Sequence, residues 1–324
     1  MKVGRQLAGS LAVAAFFILA TTGCLIEEQP VLPFDRGSLT TRSLNLASDY
    51  RNQIYYSLEK DSIIRQNLKT DWDLAFESNT EGVKVFLNSS KLMASLKTNI
   101  SNIEDLKDIA GLTRVYDVIN RSNITAIGDV RDLKNAFWID RGFDELGDPL
   151  DIVKVKFEGV TAKDYTLKVA KQNERLPTTI VVEKDPKVNL VYLSFTNNKV
   201  VKLDPPKDDW DLYFTQYLHY FNEANPNYIV TGAILNPNKT VAVADSSLEF
   251  KKIDINVAKG FKLTAQPDVI GYSWKNFVNN IYTINTHWNY IIRDSKGFYY
   301  KLRFIDFYNE KGAKGVPKFE FQKL

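Results

Sequence analysis

The sequence predicts a mainly β fold made of two related β modules with a few short helices. Three observations carry this. The hexapeptide Asp71-Trp72-Asp73-Leu74-Ala75-Phe76 returns 138 residues later as Asp209-Trp210-Asp211-Leu212-Tyr213-Phe214, in a chain with only five Trp. Apolar and polar residues alternate with a period of two in many segments, as half-buried strands require. Helical periodicity is confined to short stretches. Two long copies imply a duplication rather than a solenoid of many small repeats.

The match extends beyond the hexapeptide. Tyr55-Tyr56-Ser57-Leu58 precedes the first copy, and Tyr192-Leu193-Ser194-Phe195 precedes the second at nearly the same distance. Downstream, Leu87-Asn88-Ser89-Ser90-Lys91 answers Leu235-Asn236-Pro237-Asn238-Lys239. The spacing from Trp to the Leu-Asn turn is 15 residues in the first copy and 25 in the second. The ten extra residues fall within Thr215 to Val230, a segment holding Tyr217, His219, Tyr220, Phe221 and Tyr228.

Taken from the start of the chain, residues 1–23 read as a secretory signal: Lys2 and Arg5, then an apolar stretch from Leu7 to Ala20 too short to span a bilayer. Thr21-Thr22-Gly23-Cys24 reads as a lipobox with Thr in place of the usual Leu, which makes Cys24 the expected lipid-attachment site. Residues 24–46 are the expected lipid-anchored tether. Pro30, Pro33, Gly37 and a Ser/Thr run to Ser43 suit a flexible stalk. Glu27 and Glu28 just after the Cys favour the outer membrane, with surface exposure as one outcome. The first β module is expected over 47–180 and the second over 181–324, with their boundary near Gln172 to Pro186.

Within the first module, Ser101 and Glu104 resemble a capping box. Ile103, Leu106, Ile109 and Ala110 would line one face of a helix ending at Gly111. Ile152 to Phe157 and Tyr165 to Val169 predict a hairpin around Glu158-Gly159. Val181 to Lys184, Val188 to Phe195 and Val200 to Leu203 predict strands, the last stopped by Pro205-Pro206. Tyr272 to Asn279 reads as a short helical turn. Tyr290 to Arg293, a turn at Asp294 to Gly297, and Phe298 to Phe307 predict a further hairpin, whose closing Gly accepts positive φ. Tyr300, Leu302 and Phe304 share one face of its second strand.

Composition excludes several classes. The chain has 42 Lys+Arg and 39 Asp+Glu, a formal charge of +3, which gives no electrostatic case for nucleic acid. With one Cys, itself at the lipobox, the folded part has no thiol for a disulfide, a zinc-thiolate site or an iron-sulfur cluster. The chain carries no Gly-rich phosphate loop, nucleophile elbow or His-Glu-x-x-His. Asp71 and Asp73 could be taken for an acid-base pair or a calcium site. The stronger reading is that Trp72 and Trp210 insert into each core while the acids cap the strands. The chain is not expected to be an enzyme.

Asp-Trp-Asp-Leu-Ala-Phe after a Tyr-rich strand, with Tyr299-Tyr300-Lys301-Leu302-Arg303-Phe304 and Gly312 and Gly315 downstream, resembles the HmuY family. The resemblance is strongest over Asn189 to Leu324. It implies a mostly β, lipid-anchored outer-membrane protein that binds haem for iron acquisition and passes it to a TonB-dependent outer-membrane receptor. The founding member of that family holds haem through two axial His, and some relatives use Met. The motif-to-ligand spacing does not carry over, so candidates are taken from the chain's own residues.

Haem iron is held by His, Met or Tyr in an apolar pocket. His219, in the ten-residue insertion among rings that suit a flat porphyrin, is the first candidate, with Tyr217 and Tyr220 beside it. His287 is the second. It is expected at the start of a strand, sharing a face with Asn289, Ile291 and Arg293, opposite Trp288 and Tyr290. Tyr299 and Tyr300 are conceivable phenolate ligands. Met93 is a soft donor more simply read as core packing. The alternative to haem is a surface β module that contacts protein or glycan.

Overall fold

Among the described residues, 37–121, 125–224 and 226–324 of a computed structural model, the alternating segments form 22 strands in five antiparallel sheets. One sheet runs β1 (Thr40–Ser43), β22 (Lys314–Lys323), β21 (Tyr299–Tyr308), β20 (Asn289–Arg293), β17 (Val241–Asp245). A second runs β12 (Thr178–Glu183), β11 (Asp164–Lys171), β10 (Ile152–Val160), β9 (Phe137–Asp140), β6 (Ala94–Lys97), β7 (Arg114–Val115). A third runs β14 (Lys199–Val201), β13 (Leu190–Ser194), β4 (Leu74–Glu77), β5 (Lys84–Leu87), β8 (Gly128–Asp129). The fourth is β16 (Tyr228–Leu235), β15 (Leu212–His219), β2 (Asn52–Ser57), β3 (Ser62–Leu68), and the fifth is the hairpin β18 (Lys275–Val278) with β19 (Ile281–Ile284). One short helix, α1 (Ile255–Gly260), is capped by Asp254, whose side chain accepts from the N–H groups of Asn256 and Val257.

The duplication is realised by exchange. The strand before each Trp motif pairs with the motif of the other copy: β2 with β15, and β13 with β4. The register is equivalent, Tyr56 opposite Leu212 and Leu193 opposite Leu74. Relative to the expected modules, each therefore gives a hairpin to the other's sheet. One core lies between the third and second sheets and includes Leu74, Phe76, Val85, Val155, Leu167 and Leu193. The other lies between the fourth and first sheets and includes Ile54, Tyr56, Leu212, Phe214, Leu302 and Phe319.

The Trp side chains differ from expectation. They sit where the two halves join, and not inside each core. Trp72 packs on Tyr192 (ring centroids 4.8 Å) and Trp210 on Tyr55 (4.9 Å), while the Tyr55 and Tyr192 hydroxyls hydrogen-bond at 3.0 Å. Leu74 and Leu212 open their strands and face the cores, while Trp72 and Trp210 lie two residues earlier, outside the strands, where alternation does not bind them to the core face.

Several local expectations are corrected. Ser101 to Ala110 is no helix: only Ile103–Asp105 makes a single 3-10 turn, with no side-chain cap bond from Asn102. Ile103 and Leu106 are still buried, and their satellite cluster around Trp138 overrides helical periodicity. The first hairpin turns at Thr161 to Lys163, and Glu158-Gly159 is a bulge within β10. Tyr272 to Asn279 is not helical: it runs into β18. Asn279 (φ 51°) and Asn280 (φ 63°) form the two-residue turn to β19, the conformation that hairpin loops of this length select. The flexible stalk ends early, since Thr40–Ser43 pairs with β22 and Leu44 and Leu46 are buried in the second core. The signal segment 1–23, Cys24 and the acidic residues after it lie outside the described residues. The hairpin closing at Gly297 (φ 91°) forms as expected, with Tyr300, Leu302 and Phe304 all in the core.

Candidate functional site

The ten-residue insertion lengthens one hairpin. β4 and β5 have four residues each, β15 and β16 eight each, and the loop grows from six residues to eight. The longer hairpin meets residues 268–284. Their approach depends on two glycines. The N–H and C=O of Gly271 (φ 55°) bond to Ala233 at 3.0 Å each, and a Cβ on Gly232 would lie 2.1 Å from the Gly271 carbonyl oxygen.

Between these elements lies a cleft of about 540 Å³ walled by six aromatic side chains, Tyr50, Phe221, Tyr228, Tyr272, Phe277 and Tyr282. Tyr228 and Phe277 remain about half exposed, at 51% and 52%. Rings normally bury most of their area, so half-exposed rings gathered on one slot mark a contact surface. Tyr50 holds its place in the left-handed region (φ 57°), an uncommon conformation for a bulky side chain, with its ring stacked on Phe307 at 6.1 Å.

His219, at the end of β15, stands one ring behind this wall. Its imidazole meets Phe221 and Tyr272 edge-on, with centroids 5.1 and 5.0 Å away. Both ring nitrogens are engaged: Nδ1 lies 3.0 Å from Asp268 Oδ2 and Nε2 lies 3.2 Å from Asn120 Nδ2. The Asn120 amide is oriented by Tyr220, whose N–H donates to Oδ1 and whose carbonyl accepts from Nδ2, both at 2.9 Å. The amide nitrogen therefore donates to Nε2, and the proton of a neutral imidazole sits on Nδ1, donating to Asp268. Burial would raise the Asp268 carboxyl, but hydrogen bonds from His219 and Gln266 outweigh it and hold it below the usual carboxylate range.

The other candidates are placed apart from this cleft. Tyr217 is buried, and its hydroxyl has no hydrogen-bond partner among the described residues. Tyr220 points to solvent, with the Arg121 guanidinium 3.9 Å above its ring and its hydroxyl donating to Glu223. His287 lies in the turn before β20, exposed, on a separate cleft of about 720 Å³ that it shares with Phe250, Lys301 and Arg303. The face of β20 expected to carry His287 is covered: Asn289 is buried, and Ile291 packs with Ala258 of α1 and with Leu324. Tyr300 belongs to the second core, and Met93 is fully buried in the first.

Sequence reasoning missed Tyr50, Tyr272, Lys275, Phe277 and Tyr282. One signal could have found most of them. Asn279-Asn280 between Phe277-Val278 and Ile281-Tyr282 is a two-residue turn between strand-forming residues.

The family model described as HmuY protein matches residues 49–176 and 187–321, well over half of the chain. Among solved structures, the apo HmuY analog of Tannerella forsythia is 13% identical, with 90% of this chain and 98% of that one covered and a TM-score of 0.32. A putative HmuY-like heme-binding protein of Bacteroides vulgatus is 10% identical, with 89% and 95% covered and a TM-score of 0.23. Apo PinO from Porphyromonas gingivitis is 8% identical, with 89% and 97% covered and a TM-score of 0.25. No curated protein matches the chain.

Proposed function

The chain belongs to the HmuY family, and on that premise we propose that it binds haem in the aromatic cleft beside His219. The observation that carries this reading is the cleft itself: six ring walls with room for a flat apolar body, at a volume ordinary for a small-molecule site. Haem would supply a planar macrocycle and an iron with axial positions for protein ligands. The chain's own part would be to hold the plane between Phe221 and Tyr228 of the β15–β16 hairpin and Tyr272, Phe277 and Tyr282 of the segment facing it. His219 would be the residue that holds the iron in this reading. Asp268 fixes its Nδ1–H and so leaves the lone pair on Nε2, the outer support that ligating imidazoles use. Asn120 donates to that lone pair and would have to release it for His219 to hold iron. His287 lines the other cleft and takes no part.

The test is a haemin titration followed at the Soret band. The expected result is a saturable, shifted band that loses its shift in His219→Ala. A spectrum that neither shifts nor saturates in the oxidised and reduced states overturns the proposal. The N-terminal sequence supports lipid attachment at Cys24 and residence at the outer membrane, and membership of the family supports transfer of haem to a TonB-dependent receptor for iron acquisition. Cys24→Ser should release the protein from the membrane fraction.

One observation favours a second reading, a surface β module that contacts protein or glycan without haem: both nitrogens of His219 already have partners. On that reading His219→Ala leaves binding unchanged.

A further inference from the structure

Lys275 opens β18 at the floor of the aromatic cleft. Its ammonium is buried, and among the described residues its one hydrogen bond goes to the carbonyl oxygen of Thr231. An ammonium has three protons to donate. Its other surroundings are ring faces: Trp274 at 4.2 Å, Phe307 at 4.9 Å and Tyr282 at 5.7 Å. Among the described residues no carboxylate lies within ion-pair distance of it. Two other buried lysines are better answered. Lys91 pairs with Asp73, and Lys301 donates to two carbonyls, those of Phe250 and Ile253. Burial with no anion to offset it pushes Lys275 down to about 7.

A buried cation kept without its counterion is costly, and an apolar residue of the same shape would pack there at less cost. The lining of the cleft includes this cation and no acidic residue. Flat ring walls and a lone ammonium at the floor are complementary to a planar aromatic molecule that carries an acid group.

We propose that the ligand of this cleft is a planar aromatic carboxylate and that Lys275 Nζ receives its carboxylate. This rests on the reading of the cleft as the binding site for a flat ligand, and adds the anionic group that the ligand must have. It does not depend on His219 holding iron.

The experiment uses metal-free protoporphyrin, which has carboxylates and no iron, against its dimethyl ester, which has neither. Binding to the full folded protein is followed by quenching of tryptophan fluorescence. The wild type is expected to bind the acid roughly tenfold or more tightly than the ester, the size of a charge-assisted hydrogen bond. Lys275→Met should lose that preference and keep its affinity for the ester. A thermal melt confirms that the variant is folded, and its midpoint should not fall, because a buried unpaired charge has been removed. Equal binding of acid and ester by the wild type overturns the proposal without any variant, and so does a preference that survives in Lys275→Met. If neither porphyrin binds, the cleft reading fails and this inference fails with it. If the acid binds with the expected preference but haemin gives no Soret shift, the anionic site stands and iron ligation by His219 is the part that fails.

Discussion

Asp73 and Asp211 hold the same place in the two copies and the same backbone bond. Asp73 accepts from the N–H of Phe195 at 2.6 Å, and Asp211 from the N–H of Leu58 at 2.7 Å. In each copy the Asn of the Leu-Asn turn closes the motif, Asn88 donating to the carbonyl of Trp72 and Asn236 to that of Trp210. The electrostatic settings differ. Asp73 is buried with Lys91 and Arg141, which outweigh the effect of burial and hold its carboxyl below the usual range. Asp211 has no such pair, and burial pushes it up to about 6. The motif was kept for its backbone geometry, and the charge around it was free to diverge. The same divergence made one hairpin short and closed and the other long and open, and the candidate site lies on the long one.

The largest break in this comparison should come from Asp73→Ala. It leaves the buried Lys91 without its counterion and Arg141 with Asp151 alone, and should cost about 3–5 kcal/mol of stability by denaturant unfolding. A loss under about 1 kcal/mol would remove the electrostatic distinction between the copies.

Next is the dependence of stability on pH, where the two Asp act with opposite sign. Asp73, with its folded pKa below the unfolded one, contributes stability that is present above the unfolded value and lost as pH falls through the folded one. Asp211 and Asp204, raised to about 6 and about 7, contribute stability present below the ordinary value near 3.8 and lost as pH rises through 6 to 7. Lys275, lowered from 10.5 to about 7, adds stability that returns between those values as pH rises. Unfolding free energy should therefore dip near neutral pH. In Asp211→Asn the decline between pH 4 and 6 should shrink, and an unchanged profile would contradict the raised Asp211.

At neutral pH, Asp211→Ala should cost less than Asp73→Ala, about 1–3 kcal/mol, because it leaves only the Leu58 N–H without its acceptor. Equal losses at the two positions would mean that the shared backbone bond, and not the ion pairs, dominates both. The smallest effect is expected at the hairpin that only the second copy has. Asn280→Val places a β-branched residue at φ 63° and should cost about 1–2 kcal/mol or less. Porphyrin affinity should fall with it, as Phe277 and Tyr282 lose their fixed positions. Affinity unaffected by that change would detach the β18–β19 hairpin from the site.

Much of the fold was legible because strand parity is written locally. Tyr300, Leu302 and Phe304 fall on one face in any antiparallel strand, and Gly297 marks its turn. The repeat located the insertion by spacing alone, and the insertion led to His219. Other features were not legible for physical reasons. Ser101 to Ala110 has helical periodicity, yet its apolar residues are spent on the cluster at Trp138, a contact between distant segments. Lys275 reads in sequence as one more surface lysine. Its burial depends on Gly232 and Gly271 letting two backbones touch, and on Thr231 offering the carbonyl beneath it.

By itself the sequence determined the β class, the duplication, the extra length of one hairpin and the residues that turn each corner, because these follow from local periodicity and from backbone limits on single residues. Only the tertiary structure decided which copy pairs with which. A strand's hydrogen-bonding edge carries no address, so the pairing of β2 with β15 and β13 with β4 is fixed by the packing of Tyr55, Tyr192 and the two Trp between the halves. It also decided that His219 and His287 lie on different clefts, and that a lone ammonium stands among the rings of one of them.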